Sequence, residues 1–273
     1  MSVVQDEPVC ADALVQTRLE NGVATLLLNR PQVRNALSPD MTDALIAAFR
    51  HVDADPAVKC IVITGAGEHF SAGGDVKGFG EALALSPQER HDQFEKRLLV
   101  ASRLPNLLLR SRTPVIVAPR GAVAGAGLAL CLAADITLAC QSSFYIAAHV
   151  HVGLSLDVGL SRLLVETIGI KAAKRLALLG DRIDAAQALS LGLVDELVAP
   201  EDFDARLEAL ARRLAVGPAL AMEGTRTLLN AAAYSGLDGQ LAEEGRWIAR
   251  CVAHGDFAEG VGAAAQRRKP AFA

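Results

Sequence analysis

An α/β fold with parallel strand pairing is what these 273 residues predict, and three features carry the reading. First, a β-like segment (Val23–Asn29), an amphipathic stretch from Pro39 and a buried strand (Lys59–Thr64, KCIVIT) follow one another, the order in which two parallel strands are joined by a helical crossover. Second, Asn21-Gly22 joins Leu14–Glu20 to Val23–Asn29, the strongest short hairpin signal, so the chain opens with an antiparallel pair. Third, two buried strands each run into a glycine-rich loop, Gly65–Asp75 (GAGEHFSAGGD) and Gly121–Gly127 (GAVAGAG).

The elements follow in order. Arg30-Pro31 ends the second strand, and Ser38 caps a helix that Pro39 starts, with Leu45, Ile46, Ala48, Phe49 and Val52 on its apolar side. Leu83–Arg110 reads as one long helix despite Pro105, its charged part Gln88–Arg97 forming a solvated face. Pro114–Ala118 (PVIVA) is a short buried strand and Leu128–Ala134 has the composition of a buried helix, so the second glycine loop lies at a strand-to-helix junction. Strands are expected at Ile136–Ala139 and around Phe144–Val152, helical segments at Leu160–Ile168, Lys171–Leu179 and Ala185–Leu191, and a strand at Val194–Val198. From Pro200 the composition shifts to Ala, Leu, Arg and Glu, with helices over Glu201–Ala215, Pro218–Tyr234, Gly239–Ala253 and Phe257–Gln266. The expected division is a strand-containing core over residues 1–200, which holds the site, and a helical C-terminal region over 201–273.

Composition excludes several classes of function. With 51% hydrophobic residues the chain can bury a large core, and a formal charge of -4 gives no basic footprint for nucleic acid. Met1–Ala11 contains acids and lacks the apolar centre of a secretory signal, and no apolar run reaches the roughly 20 residues of a membrane span. Five widely spaced cysteines (Cys10, Cys60, Cys131, Cys140, Cys251) read as reduced thiols, most of them in apolar contexts, which points to the cytoplasm.

The junction at Gly121, Gly125 and Gly127 lets another molecule approach the backbone, where the free N–H groups of a helix's first turn hold a phosphate or an oxyanion. Alternatively it is a tight turn that packs helix on strand. Nucleotide motifs fit poorly: Leu130 stands where G-x-G-x-x-G needs its third glycine, and no Gly-Lys-Ser/Thr follows for a P-loop. If the two glycine loops converge, one N–H from each meets at a single carbonyl oxygen, a two-donor oxyanion hole.

The motifs Asn29-Arg-Pro31 with Asn35-Ala-Leu37, Phe70-Ser-Ala-Gly-Gly-Asp75, Pro114 through Asp135, Gly153 through Gly159, Gly192-Leu-Val194, Glu259-Gly260 and Arg268-Lys-Pro270 resemble, in their joint order, the crotonase (enoyl-CoA hydratase/isomerase) family. The resemblance implies a spiral of ββα turns with a C-terminal helical trimerisation region, assembling as a homotrimer or a dimer of trimers. It implies an acyl-CoA thioester as substrate, with no cofactor beyond the coenzyme A that is part of it. On the family pattern the oxyanion donors fall on Gly74 and Ala126, Arg34 and Ala36 line the pantetheine and phosphates, and Ala72, Asp75 and Val76 surround the adenine end.

The acid/base positions decide the reaction. The family's two hydratase glutamates fall on Ala129, in the acyl pocket, and within Ala147-Ala-His149, where this chain has no acid. Asp157, in Val152-Gly-Leu-Ser-Leu-Asp157-Val-Gly159, is similar to the proton-carrying aspartate of the dienoyl-CoA and monoacidic enoyl-CoA isomerases; its alternative is an N-cap of the helix near Gly159. Double-bond isomerisation with Asp157 as the single base is therefore the expected activity. Hydratase chemistry with Asp157 or His149 in place of the glutamates, and a non-catalytic acyl-CoA-binding role, are the alternatives. On a strand, His149 and His151 would face one side, His149 serving as an auxiliary acid/base or as a buried hydrogen-bonded histidine; with Asp157 they imitate a metal site, but no further ligand is spaced to complete one. Ser155 is not assigned as a nucleophile, because its elbow-like motif ends on Asp157 where glycine is needed.

Overall fold

A computed structural model describes residues 12–272; the lead-in Met1–Ala11, with Cys10, lies outside them. β1 (Val15–Glu20) and β2 (Val23–Leu28) pair antiparallel, with Asn21 and Gly22 at φ 50° and 78°, the left-handed pair that a tight hairpin needs. The Ser38 hydroxyl accepts the Met41 N–H at 3.2 Å and starts α1 (Pro39–Ala54), which leads to β3 (Cys60–Gly65), parallel to β2. Helices α2 (Val76–Glu81), α3 (Pro87–Ala101) and α4 (Arg103–Arg110) precede β4 (Val115–Ala118). Then come β5 (Ala122–Ala124), α5 (Ala126–Ala133), β6 (Ile136–Cys140), β7 (Phe144–Ile146), α6 (Leu160–Leu179), β8 (Ile183–Asp184), α7 (Ala185–Leu191) and β9 (Glu196–Val198). Four helices close the chain: α8 (Phe203–Ala215), α9 (Ala219–Ala232), α10 (Leu237–Val252) and α11 (Gly255–Ala265).

The strands form a six-stranded sheet, β1-β2-β3-β4-β6-β9, parallel from β2 onward, and a smaller sheet, β5-β7-β8. Strand bridges Leu37–Gly74 and Ser71–Val123 extend the smaller layer toward α1. Successive turns of the chain therefore place one segment in the large sheet, one in the small layer and then a helix, the expected spiral of ββα turns. The large sheet is covered on both faces, which is why its strands read as unbroken apolar runs. Ile61, Ile63, Val115 and Val117 face Leu45, Phe49, Leu104, Leu108 and Leu128, while Cys60, Val62, Ile116 and Ala118 face Phe203, Leu210 and Ala211 of α8.

Three expectations are corrected. Leu83–Arg110 is two helices after a 3-10 turn at Ala82–Ala84: Pro105 has no N–H to give Ala101, so α3 ends there and the proline falls in the first turn of α4, where no helical partner is needed. Within the glycine junction Ala122–Ala124 is a strand, because its backbone pairs with β7. The strand expected to Val152 stops at Ile146 and a 3-10 turn covers Ala148–Val152, so His149 and His151 do not share a strand face. Its neighbours run out: Gly125, at φ 48°, ends β5, and β8 has two residues.

The C-terminal helices are tied to this core by Arg226 of α9. Its Nε donates to Asp135 Oδ2 at 2.6 Å, and its other nitrogens donate to the carbonyls of Ser111 and Leu108. Asp135 also accepts the Val115 N–H at 2.7 Å; burial pushes its carboxyl above the ordinary value, against the pull of Arg226. Arg226→Met strands a buried carboxylate, so unfolding measurements are expected to show a loss of about 3–5 kcal/mol at neutral pH, partly restored by Asp135→Asn. Without its partner Asp135 holds a proton more tightly folded than unfolded. The deficit against wild type therefore grows as pH rises through that range and shrinks toward acid.

Candidate active site

The two glycine loops run side by side. Ser71 bridges Val123, with Phe70 N–H donating to Arg120 O at 2.7 Å, Ser71 N–H to Ala122 O at 3.0 Å and Ala124 N–H to Ser71 O at 3.0 Å. Gly74 and Ala126 follow this crossing on their respective loops. Gly73, at φ 82°, makes the approach possible: a Cβ there would lie 2.7 Å from Ala124 O and 3.4 Å from Gly125 Cα. On the other side, Leu37 N–H donates to Gly73 O at 2.7 Å. Asn35, fully buried, fixes the loop from below, its Nδ2 donating to Ala66 O at 3.0 Å and His69 O at 2.7 Å while Oδ1 accepts the Arg30 N–H at 2.8 Å. Ser71 Oγ donates to Asn35 O at 3.0 Å and accepts the Gly73 N–H at 3.1 Å. Ala126 is the first residue of α5, so its N–H has no intrahelical partner; among the described residues neither it nor the Gly74 N–H donates to a protein acceptor.

Gly74 and Ala126 both line a cleft of about 290 Å³ that also takes in Ala72, Val76, His149 and Asp157. His149 Nε2 stands 3.0 Å from Asp157 Oδ1, and a Cβ on Gly125 would touch the imidazole Cε1 at 3.6 Å. His149 Nδ1 is buried without a partner, so a proton there would find no acceptor. The geometry thus favours the tautomer in which Nε2–H donates to Asp157 Oδ1. Asp157 is not an N-cap: Gly159 takes that position, and only the Asp157 carbonyl bonds the helix, accepting the Leu160 N–H at 2.8 Å. The next residue, Val158, adopts φ 48° with its side chain buried, a backbone state that costs a β-branched residue about 1–3 kcal/mol.

The remaining candidates lie off the cleft wall. Arg34 is exposed, its carbonyl accepting the Ala72 N–H at 2.9 Å. Ala36 is buried and its carbonyl accepts the Arg30 guanidinium at 3.0 Å. Asp75 accepts Arg30 at 3.2 Å and caps α2 through the Gly78 N–H at 3.3 Å. Ala129, a turn into α5, is buried among core residues. His151 turns away, its Nε2 at 2.9 Å from Gly180 O, and the described residues contain no group of three or more His, Cys, Asp or Glu placed to hold a metal.

Phe79, Phe94 and Arg97 escape the sequence reading, which treats the charges of Gln88–Arg97 as a solvated face. Phe79 and Phe94 pack with centroids 5.1 Å apart, Arg97 lies 4.8 Å over the Phe79 ring, and a Cβ on Gly74 would meet Phe79 Cζ at 3.1 Å. The overlooked signal is the helical spacing of Phe94, Arg97, Leu98 and Ala101, all of which line the cleft.

Comparison with known proteins follows the same lines. Residues 18–273 match the family model described as "Enoyl-CoA hydratase/isomerase". The chain is 34% identical to the "Probable enoyl-CoA hydratase" of Rhodobacter capsulatus, over 94% of this chain and 97% of that one. It is 32% identical to the 1,2-epoxyphenylacetyl-CoA isomerase of Escherichia coli, over 94% and 97%. A crystal structure of an enoyl-CoA hydratase from Polaromonas superposes with a TM-score of 0.88 at 29% identity, over 95% of this chain and 99% of the other.

The crossing of the loops is testable by volume alone. Gly73→Ala is expected to lower unfolding stability by about 1–3 kcal/mol, since its Cβ meets a carbonyl oxygen at positive φ. Gly80→Ala, with nothing within 4 Å of the new methyl, serves as the control and is expected to be neutral or to stabilise by about 0.5–1 kcal/mol.

Proposed function

The chain belongs to the enoyl-CoA hydratase/isomerase family, and from that premise we propose that it shifts the double bond of an enoyl-CoA, with Asp157 as the proton carrier and the Gly74 and Ala126 amides as the oxyanion hole. The observation that carries this reading is the Asp157 carboxylate held by His149 in the cleft that Gly74 and Ala126 line. The Asp157 carboxylate takes a proton from Cα of a β,γ-enoyl thioester, and the released electron pair spreads over the dienolate to the thioester oxygen. The two amides stabilise that oxygen more as the charge develops, each donor contributing about 3–4 kcal/mol in comparable sites. The protonated Asp157 then returns the proton to Cγ and the double bond settles between Cα and Cβ. One carboxyl group suffices, in keeping with the alanine at position 129. His149 is a positioning residue in this scheme, since it acts through Asp157.

Hydration of a 2-enoyl-CoA is the second reading, favoured by the presence of two ionisable groups, His149 and Asp157, at 3.0 Å. Incubation with 3-enoyl-CoA and 2-enoyl-CoA in H₂O and D₂O separates the two. Double-bond migration from the first is expected; 3-hydroxyacyl-CoA from the second alone overturns the proposal, and binding with neither product leaves a non-catalytic acyl-CoA-binding protein. Asp157→Asn is expected to lower kcat by about 10²–10⁴-fold with little change in affinity for a saturated acyl-CoA. His149→Ala is expected to lower kcat with KM nearly constant, and His149→Gln, which keeps a donor, to recover part of the loss.

Assembly as a homotrimer or a dimer of trimers belongs to the same proposal. Leu229, Leu237, Leu241 and Ile248 of α9 and α10 are all more than half exposed in the single chain, apolar surface of the kind that self-association covers. Sedimentation is expected to give three or six times the 28.6 kDa of one chain.

A further inference from the structure

Among the described residues Arg97 is the one arginine or lysine that lines the cleft. Among the described residues its guanidinium makes no hydrogen bond or ion pair; its contact is with the face of Phe79, at 4.8 Å. The carboxylates whose fields reach it are engaged elsewhere, Asp75 with Arg30 at 3.2 Å and Asp157 with His149 at 3.0 Å, while Asp43 also lines the cleft. Five N–H donors therefore stand half-buried at an apolar wall formed with Phe94, Leu98 and Ala101, and burial pulls the group below its ordinary value against the fields of Asp75 and Asp157. A plain hydrocarbon chain in the cleft would dry this cation further and offer it no acceptor.

We infer that Arg97 determines specificity by receiving a carboxylate carried on the acyl part of the substrate. The inference rests on the acyl-CoA reading above, in which the Gly74 amide marks the thioester oxygen: Arg97 stacks on Phe79, and a Cβ on Gly74 would meet that ring at 3.1 Å, so the cation stands beside the acyl thioester. A planar fork matches a carboxylate with two parallel N–H···O bonds, and the Phe79 ring beneath it keeps the fork oriented.

Calorimetric titration of the full chain reads recognition without turnover. The ligands are mono-CoA esters of short and medium straight-chain dicarboxylic acids, the saturated monocarboxylic esters of equal length, and the corresponding pantetheine thioesters, which lack the nucleotide and its phosphates. At least one dicarboxylic ester is expected to bind about 10- to 100-fold more tightly than its hydrocarbon counterpart, and the preference is expected to persist in the pantetheine series. Arg97→Met is expected to abolish the preference and, by removing the cation that a hydrocarbon chain dries, to leave hydrocarbon esters bound as tightly as before or more tightly; Arg97→Lys, which keeps the charge without the fork, retains a smaller preference. No preference in wild type overturns the inference. So does equal weakening of both CoA series by Arg97→Met with no effect on the pantetheine series, which assigns Arg97 to a phosphate of coenzyme A. A carboxylate preference in a protein that isomerises nothing sustains the inference and removes the isomerase reading, whereas failure of every CoA ester to bind removes the acyl-CoA reading and the inference with it.

Discussion

Two stretches of main chain lying closer together than side chains permit is the constraint on which the rest of the molecule depends. The backbone at Gly73 meets the carbonyl of Ala124 where a methyl group would collide, and Asn35 and Ser71 fill the hydrogen bonds that such an irregular crossing would otherwise leave unmade. Because buried main-chain groups left unpaired cost a few kcal/mol each, the crossing persists only with those buried polar side chains beneath it. The same crossing extends the small strand layer from β5 toward α1 and leads into Gly74 and Ala126, which line the cleft and whose N–H groups have no internal acceptor.

The acid of the cleft is delivered by different means. No helix or strand presents Asp157; it precedes a helix whose first turn begins after a left-handed glycine, with a valine forced to positive φ between them. Burial of the Val158 side chain helps offset that strain, at roughly 1.5–3 kcal/mol for a fully buried side chain of this size. The histidine that holds the carboxylate comes from a 3-10 turn on the other side of Gly153, so donor and acceptor are separated by a loop that neither strand nor helix regularises.

Much of the large sheet was legible in the sequence, since its strands are short apolar runs bounded by turn residues and its hairpin carries the Asn-Gly signature. The break of α6 at Gly169, with φ 73°, also agrees with the two helical segments expected there. What escaped were features set by partners distant in the chain. β5 is a strand because β7 lies beside it, and β7 ends where that partner ends, which no local period reports. The positions of Asp157, His149, Gly74 and Ala126 around one cleft were anticipated through the family motifs rather than through periodicity. The pairing of His149 with Asp157, and the inward face of Phe94 and Arg97 within a charged helix, needed the packed chain.

Local irregularities are concentrated at this cleft. Two amides without acceptors, an imidazole nitrogen buried without a partner, a β-branched residue at positive φ and a half-buried guanidinium without a counter-ion all lie at its wall or just behind it. Other parts of the chain follow ordinary rules, with capping boxes on α3 and α7, a sheet buried on both faces and Arg226 matched to Asp135. Each irregularity costs free energy in the empty protein, and on the proposed reading the two amides, the held carboxylate and the half-buried guanidinium offset that cost through what they offer a thioester substrate. A site organised in this way gains when charge appears within it, which is the condition for stabilising a transition state more than the ground state.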